Sequence, residues 1–516
     1  MNSGAQIERL AGVMAPLFSL RTREDAAIGD IAALRATVDF AAAMRHRAVL
    51  LLPIDETSPG EASPYSALSV FAIDPIYIAL DDLPGVASHE IARVREALAD
   101  VPLSDRLTIR AARRVLLEAA FQHSSGESRL RAEIDEFAQR NRYWLEDYAL
   151  FRALKDRFDF APWEHWPENL RRRDQAALDR AKAELSSVIE KYVFWQFLAH
   201  RQWLALRARA RDQGVRLGGD LSFSPGHDSA EVWANQEFFN FDRTVGAPPD
   251  AFNLRGQHWG LPAPDWDHIR EKDFSLLRRR ARHARELYDF IRIDHVVGLY
   301  RTFSFGAEAD DGGAFRPSAE PEQLIQGESV MRAILEEAGT TIVVAEDLGV
   351  VPDFVRSSLS AMGIPGYKVF RWEKINENTA EEAYAPPGDY PEISLATTGT
   401  HDTETLVEWW EKADPTDRDR ILRMLKLAPE GSPDTELPFE TVRDAILAAL
   451  YASPSRMVIV PIQDLFGWRG RINYPGTVSA ANWSWRLPEP IEDLAENSAA
   501  GGQIPRLREM ALKCGR

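Results

Sequence analysis

Hydrophobic and polar positions along this chain fall into two alternating rhythms. Eight short apolar runs, bounded by turn or polar residues, occupy positions 12–17, 48–54, 215–221, 290–296, 340–348, 366–372, 393–400 and 457–465. Runs of that kind fit strands buried on both faces. Stretches with helical apolar spacing follow several of them, at 274–288, 328–337, 352–362 and 405–410. Strands alternating with helices predict parallel βαβ units. Eight such units predict a closed (β/α)8 TIM barrel of the α/β class, with its chemistry at the C-terminal ends of the strands.

The spacing is uneven. Residues 55–214 separate the second and third runs, against roughly 30 residues per unit in a barrel of ordinary length. Within that gap, 88–99, 107–122, 129–158 and 174–213 read as charged amphipathic helices. The last carries Tyr192, Trp195, Phe197 and Trp203 among its apolar positions. Such a stripe predicts a helix packed on the barrel, with a sugar platform as the alternative. The expectation is one catalytic barrel domain, 1–516, with a mostly helical insertion over 84–213. Little chain follows the eighth run, so no C-terminal β-sandwich is expected.

Composition narrows the partners. Of 516 residues 45 % are hydrophobic and 27 % charged, a globular balance. A net charge of −18 argues against nucleic acid and anionic membrane surfaces as partners. The lone cysteine, Cys514, allows no intrachain disulfide, and no apolar stretch approaches ~18 residues. The N-terminal segment lacks the basic start and apolar core of a signal peptide. A cytoplasmic protein is expected.

Candidate chemistry lies where three apolar runs end in acids: Asp294 in Ile291-Arg-Ile-Asp-His295, Glu346 in Thr341-Ile-Val-Val-Ala-Glu-Asp347, and Asp402 in Thr398-Gly-Thr-His-Asp402. Breaking an acetal C–O bond needs a proton for the leaving oxygen and an anion opposite an oxocarbenium-like carbon. Asp294 suits the anion and nucleophile, because Arg292 shares its strand face and keeps a carboxyl ionised. The apolar run before Glu346 favours a protonated carboxyl, hence a general acid. His401 and Asp402 could bind sugar hydroxyls, although Asp402 could equally be the N-cap of the helix that follows. Asp347 is expected on the opposite side of its strand.

These residues in this order resemble the α-amylase superfamily, and within it 4-α-glucanotransferase (amylomaltase, or disproportionating enzyme; glycoside hydrolase family 77). Further matches carry the resemblance. They are Ser63-Pro-Tyr-Ser-Ala-Leu-Ser-Val-Phe-Ala72, Gly219-Asp220, Asp228-Ser-Ala-Glu-Val-Trp233, Gly246-Ala-Pro-Pro-Asp250, Gly256-Gln-His-Trp-Gly260, and Arg471-Ile-Asn-Tyr-Pro-Gly476 with Asn482-Trp483. Together they span roughly residues 12 to 487. The resemblance implies Asp294 as nucleophile, Glu346 as acid/base and Asp402 as transition-state stabiliser. It further implies Arg292 and His401 as supports for the donor sugar, with Tyr65, Asp220 and Trp259 in contact with it. Tyr65 and Trp259 would stack on pyranose C–H faces. The chain departs from the family pattern at Leu221-Ser-Phe-Ser-Pro-Gly-His-Asp228, where Pro and apolar residues are common.

The implied reaction is retaining transfer of α-1,4-glucan segments between malto-oligosaccharides, maltose, glycogen or starch. It requires no metal or organic cofactor. Aromatic-rich segments at 65–71, 233–241 and 256–266 are candidates for excluding water in favour of an acceptor. A hydrolase with the same three acids shares every catalytic group and stays open, as does a catalytically silent glucan binder. A metal-dependent hydrolase drawing on His295, His401 and Asp402 lacks the spaced His pairs such sites use.

Overall fold

A computed structural model describes residues 7–124, 128–248, 256–306, 313–377, 379, 381–428, 437–496 and 499–516. Each apolar run overlaps a strand of one parallel sheet; all but the first contain theirs whole, and the first strand starts at Leu10, ahead of the run at 12–17. The strands are Leu10–Met14, Ala48–Leu50, Arg216–Leu221, Phe290–Ile293, Ile342–Ala345, Gly366–Val369, Ser394–Thr397 and Met457–Pro461. Their neighbours follow chain order, and the eighth strand returns to pair with the first, Leu10 opposite Met457. The remaining seam, between the fifth and sixth strands, is bridged by the Ala345 N–H donating to Pro365 O (2.8 Å). The Tyr367 N–H donates there to the Asp347 carboxylate (2.7 Å). Asp347 is thus turned to the neighbouring strand. A Cβ at Gly366 would come within 2.7 Å of that carboxylate, so the seam needs a glycine. The result is a TIM barrel.

The strands are shorter than the runs that mark them, and one run changes type. The segment 457–465 is strand only to Pro461, and Ile462–Phe466 is a helix. Proline has no N–H for a central ladder, and a buried apolar run satisfies either geometry. The helix expected over 328–337 begins at Glu320, with Pro321 in its first turn, where a missing N–H costs nothing. The helices expected at 274–288, 352–362 and 405–410 are Ser275–Leu287, Asp353–Ala361 and Leu406–Lys412.

Between the second and third strands lie Ser88–Leu98, Arg106–Ser124, Ser128–Arg140, Arg142–Arg157, Gln175–Glu184 and Ser186–Asp212. Two expected long helices are each broken. The stretch 129–158 breaks at Asn141, whose side-chain amide donates to Phe137 O (2.9 Å) and whose Oδ1 accepts from the Trp144 indole (3.1 Å). Such bonds compete with the helix ladder. The stretch 174–213 breaks at Leu185 (φ −107°, ψ 15°), with Asp174 capping the first piece through the Ala177 N–H. Tyr192, Trp195, Phe197 and Trp203 are all buried. The Trp203 indole donates to Leu287 O, at the end of the helix before the fourth strand (2.9 Å). This is the packing role, not a sugar platform.

One layer is absent from the sequence reading. Phe239–Ala247, Gln257–Pro264, Thr302–Gly306 and Ala314–Arg316 form a four-stranded antiparallel sheet beside the barrel. The described residues of 228–260 thus include the helix Ala230–Ala234 and most of two paired antiparallel strands. These polar, bulged strands lack the apolar run that marks a barrel strand. Of the motif Gly246-Ala-Pro-Pro-Asp250, residues 249 and 250 lie outside the described residues. No strand follows the eighth barrel strand among the described residues, and no helix among them is long and apolar enough to cross a membrane.

Candidate active site

The fourth barrel strand brings Arg292 and Asp294 to one face, as the period of two requires. Arg292 Nη1 lies 2.8 Å from Asp294 Oδ1, and Nη2 lies 4.0 Å from Glu346 Oε2 at the end of the fifth strand. The same Nη1 donates to both oxygens of Asp220, at the end of the third strand (2.7 and 2.8 Å). One buried guanidinium therefore faces carboxylates from three consecutive strands. Gly219 makes room behind Asp220, since a Cβ there would overlap the Tyr288 ring at 2.3 Å.

Each carboxyl has a different environment. Burial pushes Glu346 up to about 7, and the Asp294 charge adds to that push. Arg292 and the N–H groups of His295 (2.8 Å) and Leu348 (3.0 Å) pull the other way. His295 can aim its N–H at Glu346 because it adopts a left-handed backbone, φ 47°, uncommon for a side chain of its size. Burial also pushes the Asp220 carboxyl up, opposed by Arg292. Asp294 is 28 % exposed and opens on a cavity of about 410 Å3, which Tyr65, Trp259, Ser224 and His227 help to line.

Tyr65 links the two sides of the site. Its hydroxyl donates to Asp220 Oδ2 (2.6 Å), and burial with the Asp220 charge holds that phenol well above its usual range. Its ring stacks on His401 (5.4 Å between centres) and meets Trp483 at 5.9 Å. His401 Nε2 is 3.4 Å from Asp402 Oδ2. Asp402 is not a helix cap: Thr405 fills that role, accepting from the Glu408 N–H, so the Asp402 carboxylate remains in the site. Trp259, on the antiparallel sheet, stands edge-on to His295 at 4.8 Å.

All eight residues singled out from the sequence thus join one contiguous group. Three further residues belong with it. Asn473 Nδ2 donates to Asp402 Oδ1 (2.6 Å), Arg471 donates to Asp402 O, and Trp483 packs on Tyr65 and His401. They sit in the Arg471–Gly476 and Asn482-Trp483 motifs, but nothing local in those motifs points to Asp402. No group of three or more His, Cys, Asp or Glu placed to hold a metal occurs among the described residues.

The family model described as 4-alpha-glucanotransferase matches residues 15–492. The chain is 34 % identical over 478 residues to a 4-alpha-glucanotransferase of Thermus thermophilus, covering 89 % of this chain and 90 % of the relative. To that of Chlamydia pneumoniae it is 29 % identical over 511 residues, 96 % and 94 % of the two chains. Its fold superposes on the amylomaltase of Streptococcus agalactiae, solved in complex with acarbose, with a TM-score of 0.84, 28 % identity, and 99 % and 100 % coverage. With its barrel and this match over nearly its whole length, the chain belongs to the 4-alpha-glucanotransferase family and is a glycosyl-transferring enzyme of the amylomaltase type.

Proposed function

We propose that Asp294 attacks the anomeric carbon of an α-1,4-linked glucan and holds the donor segment as a glycosyl ester. Glu346 protonates the departing 4-oxygen, then takes the proton from the 4-hydroxyl of the incoming acceptor. Asp402, steadied by His401 and Asn473, stabilises the positive charge that develops on the ring between these steps. Arg292, itself held by Asp220, keeps Asp294 in place, while Tyr65 and Trp259 offer aromatic surface to the sugar rings. Malto-oligosaccharides, maltose, glycogen and starch have the linkage this site would handle, and the acarbose bound to the Streptococcus agalactiae relative supports an oligosaccharide in the cleft. This reading places the enzyme in the cytoplasm and treats 1–516 as one catalytic unit, with 84–213 as an insertion.

The observation that carries it is the contrast across Arg292: a carboxyl 2.8 Å from the guanidinium, and a second carboxyl whose pKa is pushed up to about 7 by burial. Carboxyls with environments driven apart are the pattern of an anion and a general acid. The test is incubation with maltotriose alone, with product sizes and total reducing ends followed together. Longer and shorter products at constant reducing ends are expected, and Asp294→Asn should lower that rate on the order of 10⁴-fold. Rising reducing ends with only shorter products would identify a hydrolase and refute the acceptor half.

A further inference from the structure

The cavity beside Asp294 also reaches a group of rings outside the Arg292 network. His227 and Asp228, from the segment where this chain departs from the family pattern, form part of its wall. His227 lies parallel to Trp163, with 10° between ring planes and 5.9 Å between centres. Phe241 stands edge-on to both, 5.5 Å from His227 and 5.9 Å from Trp163. Trp163 is buried, yet Phe241 is 39 % exposed.

The helical insertion fixes this group in place. Lys155, itself buried, donates through Nζ to Asp228 Oδ2 (2.5 Å), and the Trp163 N–H donates to Asp228 Oδ1 (3.2 Å). The Trp163 indole donates to His227 O (2.8 Å). A buried ammonium is costly unless paired and hydrogen-bonded; Lys155 also donates to Phe160 O (2.9 Å) and Ala161 O (3.0 Å), so its bond to Asp228 ties the loop to the insertion. Exposed aromatic surface beside a sugar-sized cavity, rimmed by Glu61, Ser224 and Asp228, is what a pyranose requires: an apolar face for its C–H groups and polar atoms for its hydroxyls.

We propose that His227 and Phe241 form an outer glucan subsite. It holds a glucose unit beyond those bound at the cleaved bond, and so biases the enzyme toward longer oligosaccharides. The proposal rests on the transferase reading of the Asp294 site. It also gives the insertion a role in substrate choice, through Lys155 and Trp163.

The test compares kcat/KM for maltoheptaose and maltotriose in the unaltered enzyme, His227→Ala and Phe241→Ser. The maltoheptaose-to-maltotriose ratio should fall about 3- to 10-fold in each variant, the scale of one aromatic stacking contact. Phe241 is exposed enough that its replacement does not open the core, so a misfolded His227→Ala protein would leave the question answerable. An unchanged ratio, or equal losses on both substrates, overturns the subsite while leaving transfer intact. If the unaltered enzyme only hydrolyses, the transferase reading fails instead, and the same length ratio, taken from reducing ends, still decides the subsite.

Discussion

Asp294 and Glu346 leave adjacent barrel strands and face one buried guanidinium, whereas Asp402 sits on a turn and is held by Asn473 from 71 positions further along the chain. The first pair is 28 % and 12 % exposed, and Asp402 is 43 % exposed. The two sides of the site therefore rest on different physics. On the Arg292 side the charges sit in a dry setting where each stands or falls with its partner. On the Asp402 side the Asn473 amide and the His401 ring orient a carboxylate that water can still solvate. Positioning by the barrel is tied to folding, while positioning by the loop can be lost with the fold intact.

That difference can be broken at either end. Arg292→Met should cost about 3–5 kcal/mol of stability, because Asp220 is left buried without its cation; denaturant unfolding measures this. A loss near zero would mean the guanidinium is not the anchor of that side. Asn473→Ala should lower kcat for maltotriose transfer about 10- to 100-fold, the worth of one hydrogen bond to a charged group, with little change in unfolding midpoint. A stability loss as large as that of Arg292→Met would erase the distinction between the two sides.

Acidity sharpens it further. Glu346 acts first as an acid, so kcat/KM for the donor should hold below about pH 7 and fall roughly tenfold per pH unit above it. A profile set by an unperturbed carboxyl would contradict the dry setting. Stability should follow the same sign. Burial raises Glu346 to about 7, Glu231 to about 7 and Asp55 to about 8. Each folded-state pKa lies above the ordinary carboxyl value, so the stabilisation is complete at acid pH, below that ordinary value, and is lost as pH rises toward and through 7 to 8. Asp55→Asn should flatten the upper part of that loss in a series of melting curves, the smallest change of the four.

Much of the barrel was legible because burial writes a local pattern. Strands covered on both faces must be apolar throughout, and an acid at the end of such a run stands out wherever it occurs. Arg292 beside Asp294 follows from the period of two alone. The helix breaks at Asn141 and Leu185 were not legible, since the apolar spacing continues across both. Nor was the antiparallel sheet, whose strands mix polar and apolar residues and are bulged.

The chain's local order set the eight strands, their sequence around the barrel, and the three acids at their ends, because side-chain period and burial act over a few residues. Contacts between distant segments came only with folding. Among these are the Asp347 seam, the sharing of Arg292 with Asp220, the hold of Asn473 on Asp402, and the propping of His227 by Trp163 and of Asp228 by Lys155. Each is a hydrogen bond, ion pair or ring contact whose partner lies outside the reach of any local repeat, and its geometry exists only once the barrel has closed.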